Sequence, residues 1–131
     1  MSEKDDVWTL AQTIFGEARG EPLEGQWAVA AVVLNRARRS GKSMEFECRK
    51  PYQFSCWLPT DPNKPKLVAA SLKDPVFRAC FDVALAALTG RLKDYTQGAT
   101  HYHAVGILPY WATGKTPCVQ IGDHLFYNDI D

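Results

Sequence analysis

The first third of the chain contains a continuous apolar run, Trp27-Ala28-Val29-Ala30-Ala31-Val32-Val33-Leu34. It forms the centre of a pattern that predicts a helix over residues 23–40, and this centre is apolar on every side. A helix that is apolar around its whole circumference must be packed by other elements on all sides. We therefore expect this helix to be the central post of the domain, with Gly41 as its C-terminal cap.

A first helix is predicted immediately before the central one. Its apolar side chains recur at intervals of three and four residues, at Val7, Leu10, Ala11, Ile14 and Ala18. Asp5 or Asp6 can cap its start, and Gly20 with Pro22 ends it. Residues 1–5 are expected to be flexible.

Glu17 lies at the end of this first helix, on the margin of its apolar stripe. A carboxyl group at the rim of an apolar face is costly to ionise, so it can hold a proton near neutral pH and donate it. Few structural tasks need such a group, whereas cleavage of a glycosidic bond does. The neighbouring Arg19 is expected to point to water.

The segment after the central helix has no regular period. Residues 41–66 are interrupted by four prolines and contain four aromatic side chains, Phe46, Tyr52, Phe54 and Trp57. Rings in such a loop either rim a binding cleft or plug the core. The best candidate for a cleft wall is Tyr52-Gln53-Phe54-Ser55.

The remainder of the chain adds helices and then strands. Residues 66–88 predict a helical region that is interrupted near Lys73, with Asp74 and Pro75 as cap and first turn of its second half. The last third carries short runs rich in Thr, Tyr, Ile and Phe, which predict a small β-hairpin or paired extended strands. The whole pattern predicts an α+β fold, predominantly helical, in a single domain over residues 1–131.

Composition excludes several classes of protein. The 46% of hydrophobic and 23% of charged residues are typical of a globular domain, and the net charge of +0 argues against a nucleic-acid binder with a broad basic surface. The basic cluster of Arg36, Arg38 and Arg39 suits a helix C-terminus, and Asn35 is expected to be a structural hydrogen-bonder. The longest apolar run is too short to span a membrane, and the N-terminus lacks a signal-peptide pattern. We expect synthesis in the cytoplasm without a signal peptide.

The four cysteines form no C-x-x-C pair, which argues against a structural zinc site. Cys48 and Cys56 flank a loop-like segment and could form a disulfide in an oxidising compartment. Cys80 falls in a helical apolar pattern and is expected to be a small core residue.

Three constellations could carry chemistry. In the first, Glu17 is a general acid beside a groove of rings and hydroxyls, namely Trp57, Thr100, Tyr102, Tyr110 and Trp111. In the second, a strand places two histidines on one face to bind a metal ion with further ligands, the set being His101, His103, His124 and Cys118. In the third, Cys56 or Cys118 pairs with His101 or His103 as the nucleophile of a cell-wall amidase or peptidase.

Four blocks of the sequence carry a resemblance to one family. They are the run Ile14 to Arg36 with its Gly16-Glu17-Ala18-Arg19 core, the tetrapeptide Tyr52-Gln53-Phe54-Ser55, the segment Ala99-Thr100-His101-Tyr102-His103-Ala104, and the segment Ile121-Gly122-x-His124-x-Phe126-Tyr127. In these blocks the chain resembles the cell-wall hydrolases related to spore-cortex-lytic enzymes.

The resemblance implies a lysozyme-like, mainly helical fold and cleavage of the β-1,4 bond between N-acetylmuramic acid and N-acetylglucosamine. The glutamate of the family motif corresponds to Glu17. In the lytic transglycosylase members this glutamate protonates the leaving oxygen and then takes the proton of the muramic C6 hydroxyl, so that a 1,6-anhydro end forms. The expected substrate-binding residues are Tyr52, Gln53, Phe54, Ser55, Thr100, His101, Tyr102, His103 and Trp111, with Tyr102 supporting Glu17. No metal and no cofactor are expected.

The alternatives differ in the residues that they need. A hydrolytic lysozyme needs a second carboxylate, for which Glu21, Glu24 and Asp123 are the candidates. The break at Gly20 and Pro22 favours the transglycosylase, with Glu21 instead holding Arg19 or the turn. A catalytically silent glycan-binding module and a zinc- or cysteine-dependent amidase stay open. The expected partner is the glycan strand of peptidoglycan, bound by a monomer that a phage-type lysis system releases or a phage-like particle carries.

Overall fold

The computed structural model describes residues 2–51 and 53–131 of the chain. Its elements in chain order are α1 (Glu3–Ala18), α2 (Leu23–Ser40), α3 (Met44–Arg49), α4 (Lys64–Ala69), α5 (Pro75–Leu88), β1 (His101–Ala104), β2 (Val119–Ile121) and β3 (His124–Tyr127). Short 3-10 turns cover Ser55–Trp57 and Tyr110–Ala112. The α+β, predominantly helical class predicted from the sequence is confirmed.

Helix α1 starts earlier than predicted. Its cap is Ser2, whose hydroxyl accepts a hydrogen bond from the backbone N–H of Asp5, so the prediction of an Asp5 or Asp6 cap was wrong. Asp6 has a different task, because its carboxylate accepts from the backbone N–H of Glu45 at 2.9 Å. That contact ties α1 to the start of α3.

Helix α2 is the central post, as predicted. Its residues Ala28 to Val33 are almost completely buried, and it packs against α1, α3, α5 and β2. Gly41 ends the helix with a left-handed φ of 75° and donates its N–H to the carbonyl of Ala37 at 2.9 Å. Asn35 is the structural hydrogen-bonder expected, since its amide donates to the carbonyl of Ala99 and to Asp94.

The described residues between α2 and α4 contain more regular structure than their sequence indicates. Helix α3, capped by Ser43, was not predicted, because six residues are too few to show a helical period. Trp57 plugs the core: its indole N–H donates to Thr13 and the guanidinium of Arg49 lies 4.5 Å above its ring. The interruption predicted near Lys73 is confirmed, with Asp74 capping α5.

The three strands form one antiparallel sheet in the order β1-β3-β2. Tyr102 pairs with Phe126 and Ala104 pairs with His124, so these four side chains share one face. Phe126 is fully buried against α2, within a small core cluster that also contains Ala28, Val32, Ala99 and Ile121. The sheet therefore holds Tyr102 against the helices, close to the end of α1.

The cysteines and the helix lengths bear on two further predictions. All four cysteines are free thiols, so the disulfide considered for Cys48 and Cys56 is not formed, and Cys80 is a buried core residue as predicted. Among the described residues, no helix is both long enough and apolar enough to cross a lipid bilayer.

Candidate active site

A cleft of about 430 Å³ opens between the end of α1, the turn after α3 and the face of the sheet. The described residues that line it are Gly16, Glu17, Val32, Gln53, Phe54, Ser55, Asn63, Thr100, His101, Tyr102, His103, Ala104, Ile107, Trp111 and His124. Glu17 is the one carboxylate among these lining residues. Any acid chemistry that a carboxyl group performs in this cleft therefore falls to Glu17.

The Glu17 carboxylate faces three hydrogen-bond donors. Its Oε1 accepts from the Tyr102 hydroxyl at 2.5 Å, and its Oε2 accepts from the backbone N–H of Cys56 at 3.2 Å. The hydroxyl of Ser55 lies 3.5 Å from the same Oε2. Both oxygens are thus held in a fixed orientation at the half-buried end of α1.

Gly16 allows the close approach that positions Glu17. A Cβ at position 16 would lie 2.6 Å from Cβ and 2.9 Å from Sγ of Cys56, which is closer than real side chains come. The turn at Ser55–Trp57 can therefore touch α1 only because residue 16 is glycine. This contact brings the Cys56 N–H within reach of Glu17.

Tyr102 remains protonated at the pH values where proteins work. Burial, and then the charge and hydrogen bond of Glu17, raise the pKa of Tyr102 well above its ordinary value. The ring is fixed between Phe126 and His124, with centroids 5.5 and 4.8 Å away. Tyr102 is therefore a rigid donor to Glu17.

Arg36 organises another wall of the cleft. Its guanidinium is buried and pairs with Glu47 at 3.2 Å. It also donates to the carbonyl of Thr100 at 3.0 Å and to Oε1 of Gln53 at 2.7 Å. One buried cation thus connects α2, α3, the residue 53 turn and β1, at the place where the cleft wall forms.

His101 is neutral in this environment. Burial, and then the charges of Arg36, Arg39 and Lys50, lower the pKa of His101 to about 4. Its Nε2 lies 3.4 Å from the Arg36 guanidinium, which can only donate, so Nδ1 carries the proton and donates to the Thr100 hydroxyl at 3.0 Å. The ring stays uncharged and fixed in the cleft.

Trp111 covers the other face of β1. Its ring centroid lies 5.1 Å from that of His101 and 5.7 Å from that of His103. The His103 Nε2 is 2.8 Å from the Tyr127 hydroxyl, which locks this histidine into the sheet. Aromatic faces and hydroxyls of this kind are suited to contacts with polar ring-shaped ligands.

Comparison with known proteins identifies the family. Residues 20–127 match the family described as Cell Wall Hydrolase, which is well over half of the chain. The chain belongs to the cell wall hydrolase family. The matched range begins just after Glu17, whereas the likeness to one relative and to two solved structures spans almost the whole chain.

The curated relatives that this chain matches are named spore cortex-lytic enzymes. One from Halalkalibacterium halodurans is 30% identical over 139 residues, which cover 95% of this chain and 35% of the relative. Another, from Bacillus subtilis, is 66% identical over 32 residues, which cover 24% of this chain and 10% of the relative. The chain thus matches about a third or less of the length of these relatives.

Two solved structures share the architecture. The catalytic domain of the germination-specific lytic transglycosylase SleB from Bacillus anthracis has a TM-score of 0.75 and 26% identity, covering 96% of this chain and 95% of that domain. The catalytic domain of the Bacillus cereus SleB protein has a TM-score of 0.74 and 25% identity, covering 94% and 89%. The resemblance inferred from the sequence blocks is confirmed.

The structure brings most of the site residues predicted from the sequence to one cleft. Glu17 is joined there by Gln53, Phe54, Ser55, Thr100, His101, Tyr102, His103 and Trp111. Tyr52 lies outside the described residues. The sequence analysis did not assign Arg36, Asn63 or Ile107 to the cleft or its support, and it considered His124 only as a metal ligand and as part of the family motif. The signal for Arg36 was its spacing of four residues after Val32 and three after Val33, on the inward side of the central helix.

The metal and cysteine alternatives lack support in the geometry. His124 lies on the face of the sheet opposite to His101 and His103, and residues 2–51 and 53–131 contain no cluster of three His, Cys, Asp or Glu that could hold a metal ion. Burial raises the pKa of both proposed thiol nucleophiles, Cys56 and Cys118. A thiol with a raised pKa forms little thiolate, so neither is an activated nucleophile.

Arg19 differs from expectation, and Glu21 holds a turn other than the one at Gly20 and Pro22. Arg19 does not point to water: it donates to the carbonyl of Phe15 at 3.0 Å and to Asn63 at 2.7 Å, because its guanidinium folds back over α1. Glu21 does not hold Arg19 either. It accepts from the backbone N–H of Asp123 at 2.9 Å and so holds the turn between β2 and β3.

Proposed function

We propose that this chain is a peptidoglycan glycosidase that cleaves the β-1,4 bond between N-acetylmuramic acid and N-acetylglucosamine as a lytic transglycosylase. The observation that carries the proposal is a single carboxylate, Glu17, held by three donors in a cleft of rings and hydroxyls. The likeness to the catalytic domain of a germination-specific lytic transglycosylase supports the same reaction class.

In the proposed reaction Glu17 acts twice. A glycan in the cleft covers the half-buried carboxyl group and displaces the water around it. Glu17 then gives its proton to the leaving glycosidic oxygen as the bond to the muramic C1 breaks. The resulting carboxylate takes the proton of the muramic C6 hydroxyl while that oxygen bonds to C1. The anhydro ring closes, Glu17 is protonated again, and no water is consumed.

The absence of a second carboxylate from the described lining of the cleft favours this route over hydrolysis. Glycosidases that use water position two carboxyl groups across the scissile bond. Of the three candidates for a second group, Glu21 is bound to the Asp123 N–H, and neither Glu24 nor Asp123 lines the cleft. A mechanism in which one group alternates between acid and base needs no partner.

The rings of the cleft support glycan binding. The half-buried rings of Trp111 and His101, and the amide of Gln53, line the cleft together with Glu17. Sugar rings bind by stacking their apolar faces on aromatic rings and by hydrogen bonds to their hydroxyls. We further propose that the protein acts on the wall as a monomer, with a phage-type lysis system or a phage-like particle bringing it there.

The direct test is Glu17→Gln, which keeps the shape of the side chain and removes its proton donor. We expect loss of lysis of purified sacculi, measured as turbidity, while the variant still folds and co-sediments with the sacculi. The matched control is Glu24→Gln, because Glu24 is exposed in the first turn of α2 and does not line the cleft. Full lytic activity of Glu17→Gln would exclude the mechanism. A wild-type protein that binds sacculi without lysing them would indicate a silent glycan-binding module instead.

A further inference from the structure

The ring of Tyr102 lies between His124 and Glu17, the proposed proton donor. His124 begins β3, lines the cleft, and lies on the same face of the sheet as Tyr102. The two rings are 4.8 Å apart between centroids, and Tyr102 donates to Glu17. Neither proton transfer of the proposed reaction uses His124.

One nitrogen of His124 is buried without a partner. Among the described residues, nothing forms a hydrogen bond with its Nδ1. Oε1 of Glu21 is 3.7 Å away, too far for a hydrogen bond, although both side chains are nearly buried, at 11% and 13% exposure. A buried polar atom without a partner is costly in free energy and is rare in folded proteins. Its presence beside a cleft points to a function.

The position of Glu21 indicates the tautomer of His124. A carboxylate only accepts hydrogen bonds, so the imidazole proton is favoured on Nδ1, the nitrogen nearer to Glu21. The opposite nitrogen, Nε2, then presents a lone pair, and none of the described residues donates a hydrogen bond to it. Because His124 lines the cleft, a ligand is the natural donor.

We propose that Nε2 of His124 accepts a hydrogen bond from a hydroxyl group of the bound glycan, with Glu21 as the positioning residue that selects this tautomer. The inference rests on the proposed function, because the ligand is the same glycan strand. No proton is transferred in this contact. It places a hydroxyl-bearing sugar ring beside Tyr102 and fixes that ring relative to Glu17. Site contacts that are long in the free protein commonly tighten when substrate binds, as the Glu21 contact is expected to do.

Glu21 also has a structural role, and the test separates this role from its effect on the tautomer of His124. Its Oε1 accepts from the backbone N–H of Asp123 at 2.9 Å. Glu21→Gln keeps an oxygen for that N–H and removes the charge that faces His124. If Glu21 only held the turn, the tautomer of His124 would be unchanged in this variant. The proposal predicts that the imidazole proton moves at least partly to Nε2.

The first experiment is nuclear magnetic resonance of the full chain labelled with nitrogen-15 in histidine. The ligand is a soluble tetrasaccharide fragment of peptidoglycan, added to Glu17→Gln so that it is not cleaved. We expect the Nδ1-protonated tautomer in the free protein and a change of the Nε2 signal of His124 on titration. A free protein protonated on Nε2, or an unchanged Nε2 signal while other cleft signals move, would overturn the proposal.

The second experiment uses two replacements that keep different nitrogens. His124→Asn retains a polar atom near Nδ1, whereas His124→Gln retains an acceptor near Nε2. We expect kcat/KM on purified sacculi to fall by about 10–100-fold in the asparagine variant. The factor of loss in the glutamine variant is expected to be roughly ten times smaller. Glu24→Gln serves as the unchanged control. Equal losses in both variants, or wild-type kinetics in His124→Asn, would contradict the proposal.

Failure of this inference is distinguishable from failure of the proposed function. An inactive Glu17→Gln together with a fully active His124→Asn removes the role of His124 and leaves the Glu17 mechanism standing. An active Glu17→Gln removes the mechanism, while the resonance titration still decides whether the glycan reaches His124.

Discussion

The hydrogen bond between Tyr102 and Glu17 joins residues that are 85 positions apart in the chain. Tyr102 comes from β1 and Glu17 from the end of α1, so the contact forms only when the sheet docks on the helices. Because the raised pKa of Tyr102 keeps its hydroxyl protonated, this donor faces Glu17 throughout the working range of pH. It orients the carboxyl group for both of its proposed steps.

Replacing Tyr102 by Phe removes this donor and keeps the ring. We expect kcat on purified sacculi to fall by about 10–100-fold, since a hydrogen bond to a charged group contributes roughly 1.5–3 kcal/mol. KM is expected to change much less. Tyr95→Phe is the control, because Tyr95 packs edge-on against Trp27 and does not line the cleft. Equal activity of the two variants would contradict the role assigned to Tyr102.

His101 makes stability depend on pH in a predictable direction. Its pKa is about 4 in the folded protein against an ordinary value of 6.5, so the unfolded chain binds the proton more tightly. The contribution of His101 to the free energy of unfolding is therefore complete above about pH 6.5 and is lost as the pH falls toward 4. We expect the melting temperature of His101→Gln to fall less over this interval than that of the wild type, as measured by thermal unfolding at several pH values. Parallel curves would show that His101 is not buried beside Arg36 as described.

At the scale of elements, the site depends on how closely α1 approaches the turn at Ser55–Trp57. The helix brings the carboxylate, and the turn brings the Cys56 N–H that holds it. Gly16 is the point of contact between them. A second linkage, the Arg36–Glu47 pair, joins α2 to α3 and supports the wall that carries His101.

A methyl group at residue 16 is expected to separate the helix from the turn. Gly16→Ala should destabilise the fold by about 1–3 kcal/mol through overpacking against Cys56, and should lower lytic activity by displacing Glu17. Gly20→Ala is the matched control, since a Cβ there meets no atom within 4 Å. Denaturant unfolding and sacculus turbidity check both effects. A Gly16→Ala variant as stable and active as Gly20→Ala would refute the close approach.

The buried ion pair is expected to show strong coupling between its members. Arg36→Met leaves the Glu47 carboxylate buried without its partner and should cost about 3–5 kcal/mol in free energy of unfolding. The double variant Arg36→Met with Glu47→Met should lose less than the single one, because no charge remains buried. Arg38→Met, at an exposed position, should stay within about 0.5 kcal/mol of the wild type. Additive losses in the double variant would contradict the coupling.

At the scale of the whole molecule, the elements that could be predicted are those whose residues form a local sequence pattern. The apolar centre of α2, the capped start of α5 at Asp74 and the short strands all left a local pattern, and the structure has them. The blocks of the resemblance also located Glu17 and most of the cleft.

The parts that sequence did not predict depend on distant pairing. The sequence predicts Arg36 to be a surface charge at a helix end, because it does not show that Glu47 and Thr100 lie beside the guanidinium. Glu21 and Asp123 are 102 positions apart, so the hold of Glu21 on the turn is invisible in the sequence. Helix α3 is too short for its period to appear. These features follow from packing rather than from local pattern.

The chemical form of the released glycan ends distinguishes ring closure by the muramic C6 hydroxyl from hydrolysis. Purified sacculi are digested in water enriched in heavy oxygen, and the released fragments are analysed by mass spectrometry. If Glu17 acts as acid and then as base, the glycan ends are 1,6-anhydromuramic acid and carry no heavy oxygen, since no water enters the bond. Reducing ends that carry the label, or freed stem peptides with intact glycan strands, would contradict this mechanism.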